Sequence, residues 1–273
     1  MPAHAQEQTS EPRPEIVMVE FGAKKMVTEV YKPQGVEPFP VIVYAHGRAG
    51  DEVDRHKLAS PIPRGHVRYW LKKGFAVVAS VRPGYGETGG SDRESSGARY
   101  DVFGNCRSRP DFETPATHAQ EAMLATVNWV RAQPWARRDF IILEGTSMGG
   151  LAVVATAAVN PAGVVGYINF AGGAGGDPQR APGRSCGVAD MAKLITAFGH
   201  TTRVPGLWLY AQNDMYWGAD APRTWHDAFA AAGGRADFIV TAPVPDTDGH
   251  QLLLRGGKLW SVHTDRFVRE LAH

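Results

Sequence analysis

Cysteine is scarce. Two residues, Cys106 and Cys186, in a chain of 273 are too few for a disulfide-dense scaffold. Neither stands in a Cys-x-x-Cys pair or beside clustered histidines, so no metal site is expected. An excess of one charge is missing too. Lys and Arg total 29 against 28 Asp and Glu, for a formal net charge of +1, and no basic run stands out. That removes the electrostatic footprint expected of a nucleic-acid or anionic-membrane partner. The longest apolar run, residues 151–159, is alanine-rich and well short of the roughly 20 residues a membrane span needs. Glycines at 84, 86, 89 and 90 imitate a phosphate cradle, but the P-loop lysine is absent and no helix begins directly afterwards. No dinucleotide fingerprint occurs either.

What remains is an ordinary globular composition, 43% hydrophobic and 21% charged, in a length that one large domain can bury. Residues 1–15 are polar with three prolines and read as a disordered lead-in to a single domain over 16–273. Segments 16–20 and 26–31, parted by Gly22, read as an antiparallel hairpin. Residues 41–45 are a continuous apolar run, the mark of a strand buried on both faces; 75–81 and 140–143 read as further buried strands, and 164–170, 206–211 and 238–241 supply three more strands. Helical patterns fall between them at 69–73, 117–131, 222–232 and 259–271. Strands alternating with helices predict an α/β fold with a mostly parallel sheet covered on both faces. Residues 171–185, rich in glycine and proline, read as a small lid-like insertion near a site.

The chemistry centres on Gly145-Thr146-Ser147-Met148-Gly149-Gly150, which follows a buried strand and precedes a helix. A sharp strand-to-helix turn strains the serine backbone and leaves no room for side chains two residues away, hence the glycines at 145 and 149. Ser147 is the candidate nucleophile, set where backbone N–H groups point at developing negative charge. A serine hydroxyl needs a base. His250, in the polar loop after the last strand, is the candidate, since His46 belongs to another motif and the other late histidines lie in helices or at the end. Asp214 follows the strand before last, at the sheet edge where sites form, and is the candidate to orient His250. Asp246 and Asp248 are the alternatives, crowded into the histidine's own loop. Two backbone donors complete the set: Met148 N–H, and Arg48 N–H in the loop His46-Gly47-Arg48-Ala49-Gly50. The Arg48 side chain could also pair with an anionic substrate. Tyr85 reads as a pocket wall, and Tyr216 and Trp217 as lining of an aromatic-accepting pocket.

These motifs, with Arg82-Pro83-Gly84-Tyr85-Gly86 and Asn213-Asp214, resemble the α/β-hydrolase superfamily, and within it the dienelactone-hydrolase-like and prolyl-oligopeptidase-like esterase branch. The resemblance runs over residues 40 to 250. It implies the α/β-hydrolase fold and hydrolysis of small-molecule carboxylic esters through an acyl-enzyme, without metal or cofactor. Dienelactone hydrolases proper carry cysteine where this chain has Ser147, which favours ester hydrolysis over dienelactone turnover. A peptidase or acyltransferase using the same triad, or a non-catalytic binder of the same fold, are the other readings. Ala3-His4-Ala5 matches the small-x-small pattern beside a signal-peptidase cut, and two loop cysteines favour a disulfide, worth about 4 kcal/mol by loop entropy. Together they point to a periplasmic or secreted protein; a cytoplasmic one with two free thiols is the alternative. Oligomeric state and the choice of acyl and alcohol groups have no readable signature.

Overall fold

A computed structural model describes residues 11–272. Of the expected lead-in, residues 1–10 lie outside the described residues, whereas 11–14 run along the surface. There Pro12 O accepts from Arg64 Nη1 at 2.9 Å, and Glu15 already opens the first strand.

Among the described residues eight strands form one sheet. They are β1 (Glu15–Phe21), β2 (Lys24–Tyr31), β3 (Phe39–Ala45), β4 (Ala76–Ser80), β5 (Ala136–Thr146), β6 (Val164–Phe170), β7 (Gly206–Ala211) and β8 (Ala236–Thr241), in spatial order β1-β2-β4-β3-β5-β6-β7-β8. β1 and β2 form the expected antiparallel hairpin, closed at Gly22, whose φ of +58° suits a hairpin turn. β2 also meets β4 antiparallel, and every other pairing is parallel.

Alternation along the strands divides the interior in two. Val41, Val43, Ile141, Leu143, Trp208 and Tyr210 pack on one face. Ile42, Tyr44, Ile142, Ile168, Leu207 and Leu209 pack on the other. The first face is covered by α3 (Glu113–Arg131), α4 (Met148–Ala158), α5 (Val188–Thr201) and α6 (Asp220–Ala231). The second is covered by α2 (Arg64–Leu71), α7 (Leu252–Arg255) and α8 (Gly257–Leu271). Burial on both faces explains why the strands read as unbroken apolar runs. A short α1 (Glu52–His56), capped by the Asp51 carboxylate, precedes α2. Among the described residues no helix is long and apolar enough to cross a membrane.

Two expectations need correction. β5 begins at Ala136, not 140: Ala136 pairs with Phe39 before an irregularity in the ladder, and Arg137, Arg138 and Asp139, which follow it, are exposed and polar. α5 had no counterpart in the sequence reading. The 171–185 segment, expected as a small lid-like insertion, is pinned in place. Cys106 and Cys186 are disulfide-bonded across 80 residues, fastening it to the irregular 89–112 loop. The Tyr100 hydroxyl adds a second tie, donating to Gly175 O and accepting from Cys186 N–H at 2.6 Å.

The chain leaves β3 toward β4 on one side and leaves β5 toward β6 on the other. The loops after β3 and β5 therefore part at their C-terminal ends and open a crevice between them.

Candidate active site

Ser147 stands at the mouth of that crevice. Its φ of +55° and ψ of −122° put a non-glycine residue in a costly backbone region, held by neighbouring bonds. Ser147 N–H donates to Phe170 O at 2.9 Å, and its carbonyl accepts from Leu151 N–H at 3.1 Å and Gly173 N–H at 3.2 Å. A Cβ on Gly145 would strike the Gly149 backbone, and one on Gly149 would strike the carbonyl oxygens of Ala45 and His46. The strand-to-helix turn can close only with glycine at both positions, as the sequence suggested. Met148 is the first residue of α4, so its N–H belongs to the free N-terminal turn.

The loop after β3 passes directly over the serine. A Cβ on Gly47 would lie 3.3 Å from Ser147 Cβ. Its orientation comes from His46. Arg82 N–H donates to His46 Nε2 at 3.1 Å, so Nε2 is an acceptor and the ring proton sits on Nδ1, which donates to Gly47 O at 2.7 Å. Burial, joined by the Arg82 charge, pushes the His46 pKa down to about 3, so the ring stays neutral. Carbonyl and N–H point oppositely across a trans peptide, so a Gly47 carbonyl held on His46 turns Arg48 N–H the other way.

Arg82 is fixed in turn. Its guanidinium grips Glu94 through Nε and through Nη2 at 2.9 Å, and Nη1 donates to His46 O at 2.7 Å. Burial pushes the Glu94 carboxyl up, but the Arg82 charge and hydrogen bonds more than offset it and leave the group below the usual range. Tyr85 belongs to this network and not to a pocket wall. It is buried, its hydroxyl donates to Glu94 Oε2 at 2.8 Å, and its ring meets His46 edge-on. The Arg48 side chain is partly exposed, but its charge is already paired, since Asp92, 44 residues away in sequence, accepts from it.

Asp214 and His250 meet beyond the ends of β7 and β8. Asp214 is buried. Its Oδ1 accepts from the N–H groups of Tyr216 at 2.8 Å and Trp217 at 3.1 Å, and its Oδ2 lies 3.1 Å from His250 Nδ1. Asp248, one alternative, is spent on the turn, accepting from His250 N–H and Met215 N–H. Asp246, the other, is exposed at a positive-φ turn position. Asn213 locks the two loops together, donating to Val244 O and Thr247 O and accepting from Val244 N–H. The His250 ring stacks on Tyr216 at 4.0 Å and meets Trp217 edge-on at 5.4 Å. Trp217 is buried, with its indole N–H on Ala171 O at 2.8 Å.

Two cavities meet at Ser147, with Arg48 and Tyr216 lining both. One, of about 300 Å³, also touches Met148 and Trp217. The other, of about 550 Å³, also touches Gly47 and His250. The expected residues 147, 148, 48, 214, 250, 216 and 217 thus converge, and Tyr85 stands behind them. His46, Arg82, Glu94 and Asn213 went unassigned in the sequence reading. Arg82 sits beside a motif the sequence showed, but nothing local marks its partner.

The sheet order, the crossovers and the turn at Ser147 define an α/β-hydrolase fold. No family model matches the chain, and no curated protein sequence matches it. Solved structures do. An esterase of Pyrococcus furiosus is 11% identical, with a TM-score of 0.64 over 100% of this chain and 96% of that one. A dienelactone-hydrolase-like promiscuous phosphotriesterase from metagenomic libraries is 14% identical, with a TM-score of 0.58 over 95% and 99%. An acylaminoacyl peptidase of Pyrococcus horikoshii is 13% identical, with a TM-score of 0.61 over 92% of this chain. This chain spans about 39% of that peptidase's length.

Proposed function

We propose that the protein is a serine hydrolase acting on carboxylic esters, with Ser147 as nucleophile, His250 as general base and Asp214 orienting His250. The observation that carries this reading is a serine held at a strained turn, sharing one cavity with a histidine whose far ring nitrogen faces a buried, backbone-bound aspartate. Asp214, held by two N–H groups on one oxygen, keeps the other oxygen for His250 Nδ1–H and leaves Nε2 free to take a proton. Ser147 Oγ then attacks the ester carbonyl while its proton passes to His250. The oxyanion lies against the N–H groups of Met148 and Arg48, in a site that His46 and Arg82 have already oriented. His250 returns the proton to the leaving alcohol, and water repeats the sequence on the acyl-enzyme. The esterase and hydrolase-like neighbours support this reading at the level of fold.

Turnover of a p-nitrophenyl ester series by wild type and by Ser147→Ala tests it. Loss of at least about 10⁴-fold in Ser147→Ala, with an unchanged melting curve, is expected. Undiminished turnover by folded Ser147→Ala would sink the mechanism. The Cys106–Cys186 disulfide supports placement in an oxidising compartment, periplasmic or extracellular. Alkylation of the protein isolated from its native cells checks that, because two free thiols there would contradict it.

A further inference from the structure

The two cavities at Ser147 differ in chemistry, and the proton path says which half of an ester each would receive. This step rests on the serine-hydrolase reading above. A carbonyl whose oxygen lies against Met148 N–H and Arg48 N–H presents its acyl and alcohol substituents to opposite sides of Ser147. When the Ser147 Oγ–carbon bond has formed and the carbon–alcohol bond breaks, the alcohol oxygen takes the proton that His250 received from the serine. The alcohol must therefore lie on the His250 side. His250 lines only the larger cavity, of about 550 Å³, and Met148 only the smaller, of about 300 Å³.

The larger cavity is walled by Leu58, Pro61, Ile62, Pro63, Leu253 and Leu254. Beyond Pro63 and the two leucines, which it shares, a further cavity of about 710 Å³ extends to Tyr69 and Trp260. Leu254, 55% exposed on α7, stands at the junction of the two with its side chain in water. The further cavity also carries Arg255, Lys258 and Asp265, so the apolar stretch is the one from Leu58 to Leu254, and with Leu254 exposed it is suited to cover apolar surface. The smaller cavity is the opposite. Glu94, Ser96, Tyr100, Asp177 and Gln179 line it together with glycine backbone. A Cβ on Gly173 or Gly176 would run into the Trp217 ring, so that wall must present bare peptide groups. The Cys106–Cys186 disulfide and Tyr100 hold its two loops at a set separation.

We propose that the substrates are esters joining a compact, hydrogen-bonding acyl group to a larger apolar alcohol, with the alcohol in the cleft along Leu58, Ile62 and Leu254. Four esters decide it: methyl and hexyl lactate, and methyl and hexyl octanoate, with hydrolysis followed by pH-stat. Hexyl lactate should be turned over at least tenfold better, in kcat/KM, than methyl lactate, and methyl octanoate should be the poorest. Leu254→Asp should cut the hexyl-to-methyl ratio at least fivefold. Ala98→Trp, which narrows the smaller cavity, should instead cut the rate ratio of hexyl lactate to hexyl acetate, a fifth ester added for this variant. Preference for octanoyl over lactoyl esters, or a Leu254→Asp effect on acyl preference instead, would overturn the assignment. A fluorophosphonate probe with mass mapping separates the two levels of failure. If Ser147 is labelled but these preferences are reversed, or none of the four esters is cleaved, only the partition falls. If wild-type Ser147 is not labelled, the serine-hydrolase reading falls and takes the partition with it.

Discussion

Arg82→Met tests whether the buried Arg82–Glu94 pair supports the loop over Ser147. Both side chains are almost fully buried, at 2% and 1% exposure, so removing the guanidinium leaves a carboxylate with only the Tyr85 hydroxyl to answer it. Breaking one side of a buried pair costs about 3–5 kcal/mol. At about 2–4 °C per kcal/mol for a domain near this size, the melting temperature should fall by roughly 6–20 °C. The pH dependence has a definite sign. In the wild type the folded-state pKa of Glu94 lies below its ordinary 4.5, so its contribution is complete above about 4.5 and is lost as pH falls through the lower folded value. In Arg82→Met burial is opposed chiefly by the Tyr85 hydrogen bond and raises the folded pKa, so the variant's deficit is largest at neutral and higher pH. It should shrink as pH approaches about 4.5, where the unfolded carboxyl protonates too. Differential scanning calorimetry at pH 5 and pH 8 reads both effects. Arg82→Met/Glu94→Gln removes both charges and should recover part of the loss. A shift under 2 °C, a deficit that grows on acidification, or a double variant worse than the single would refute the reasoning.

Cys106→Ser/Cys186→Ser opens a loop of 80 residues, which the chain-entropy estimate values at about 4.5 kcal/mol. Urea denaturation should show a loss of that order, and a change below about 1 kcal/mol would mean that Tyr100 and the surrounding packing hold the loops unaided. Gly47→Val places a branched side chain against Ser147 Cβ, since even a bare Cβ would be at 3.3 Å. Ester turnover should drop at least about tenfold in kcat with little change in melting temperature. Full activity in that variant would mean that the loop need not approach the serine.

Much of the fold was legible because this sheet is buried on both faces. Residues 206–211 are apolar end to end and 164–170 are apolar but for Asn169, and the structure places β6 and β7 on those same residues. The front of β5 was hidden for the converse reason. Ala136 meets Phe39 ahead of an irregularity in the ladder, and Arg137, Arg138 and Asp139 between that contact and the apolar run face water. The turn at Ser147 was legible because its constraint is local, with glycines two residues away and a strand just before. The order of Asp214 and His250 behind it could likewise be read, but their hydrogen bond, at a separation of 36 residues, could not.

Sequence by itself determined that the chain makes a covered parallel sheet with a serine at a strand-to-helix turn, because apolar continuity and glycine positions act over a few residues. Only the tertiary structure decided where polar side chains found their partners. It turned Tyr85 inward to Glu94, set Arg48 against Asp92, and used Arg82 to orient the loop over the serine. It also decided that Ser147 lies between a polar cavity and an apolar one. Those outcomes depend on which charges can be desolvated together and on which loops a disulfide brings side by side, and neither is written in any short stretch of the chain.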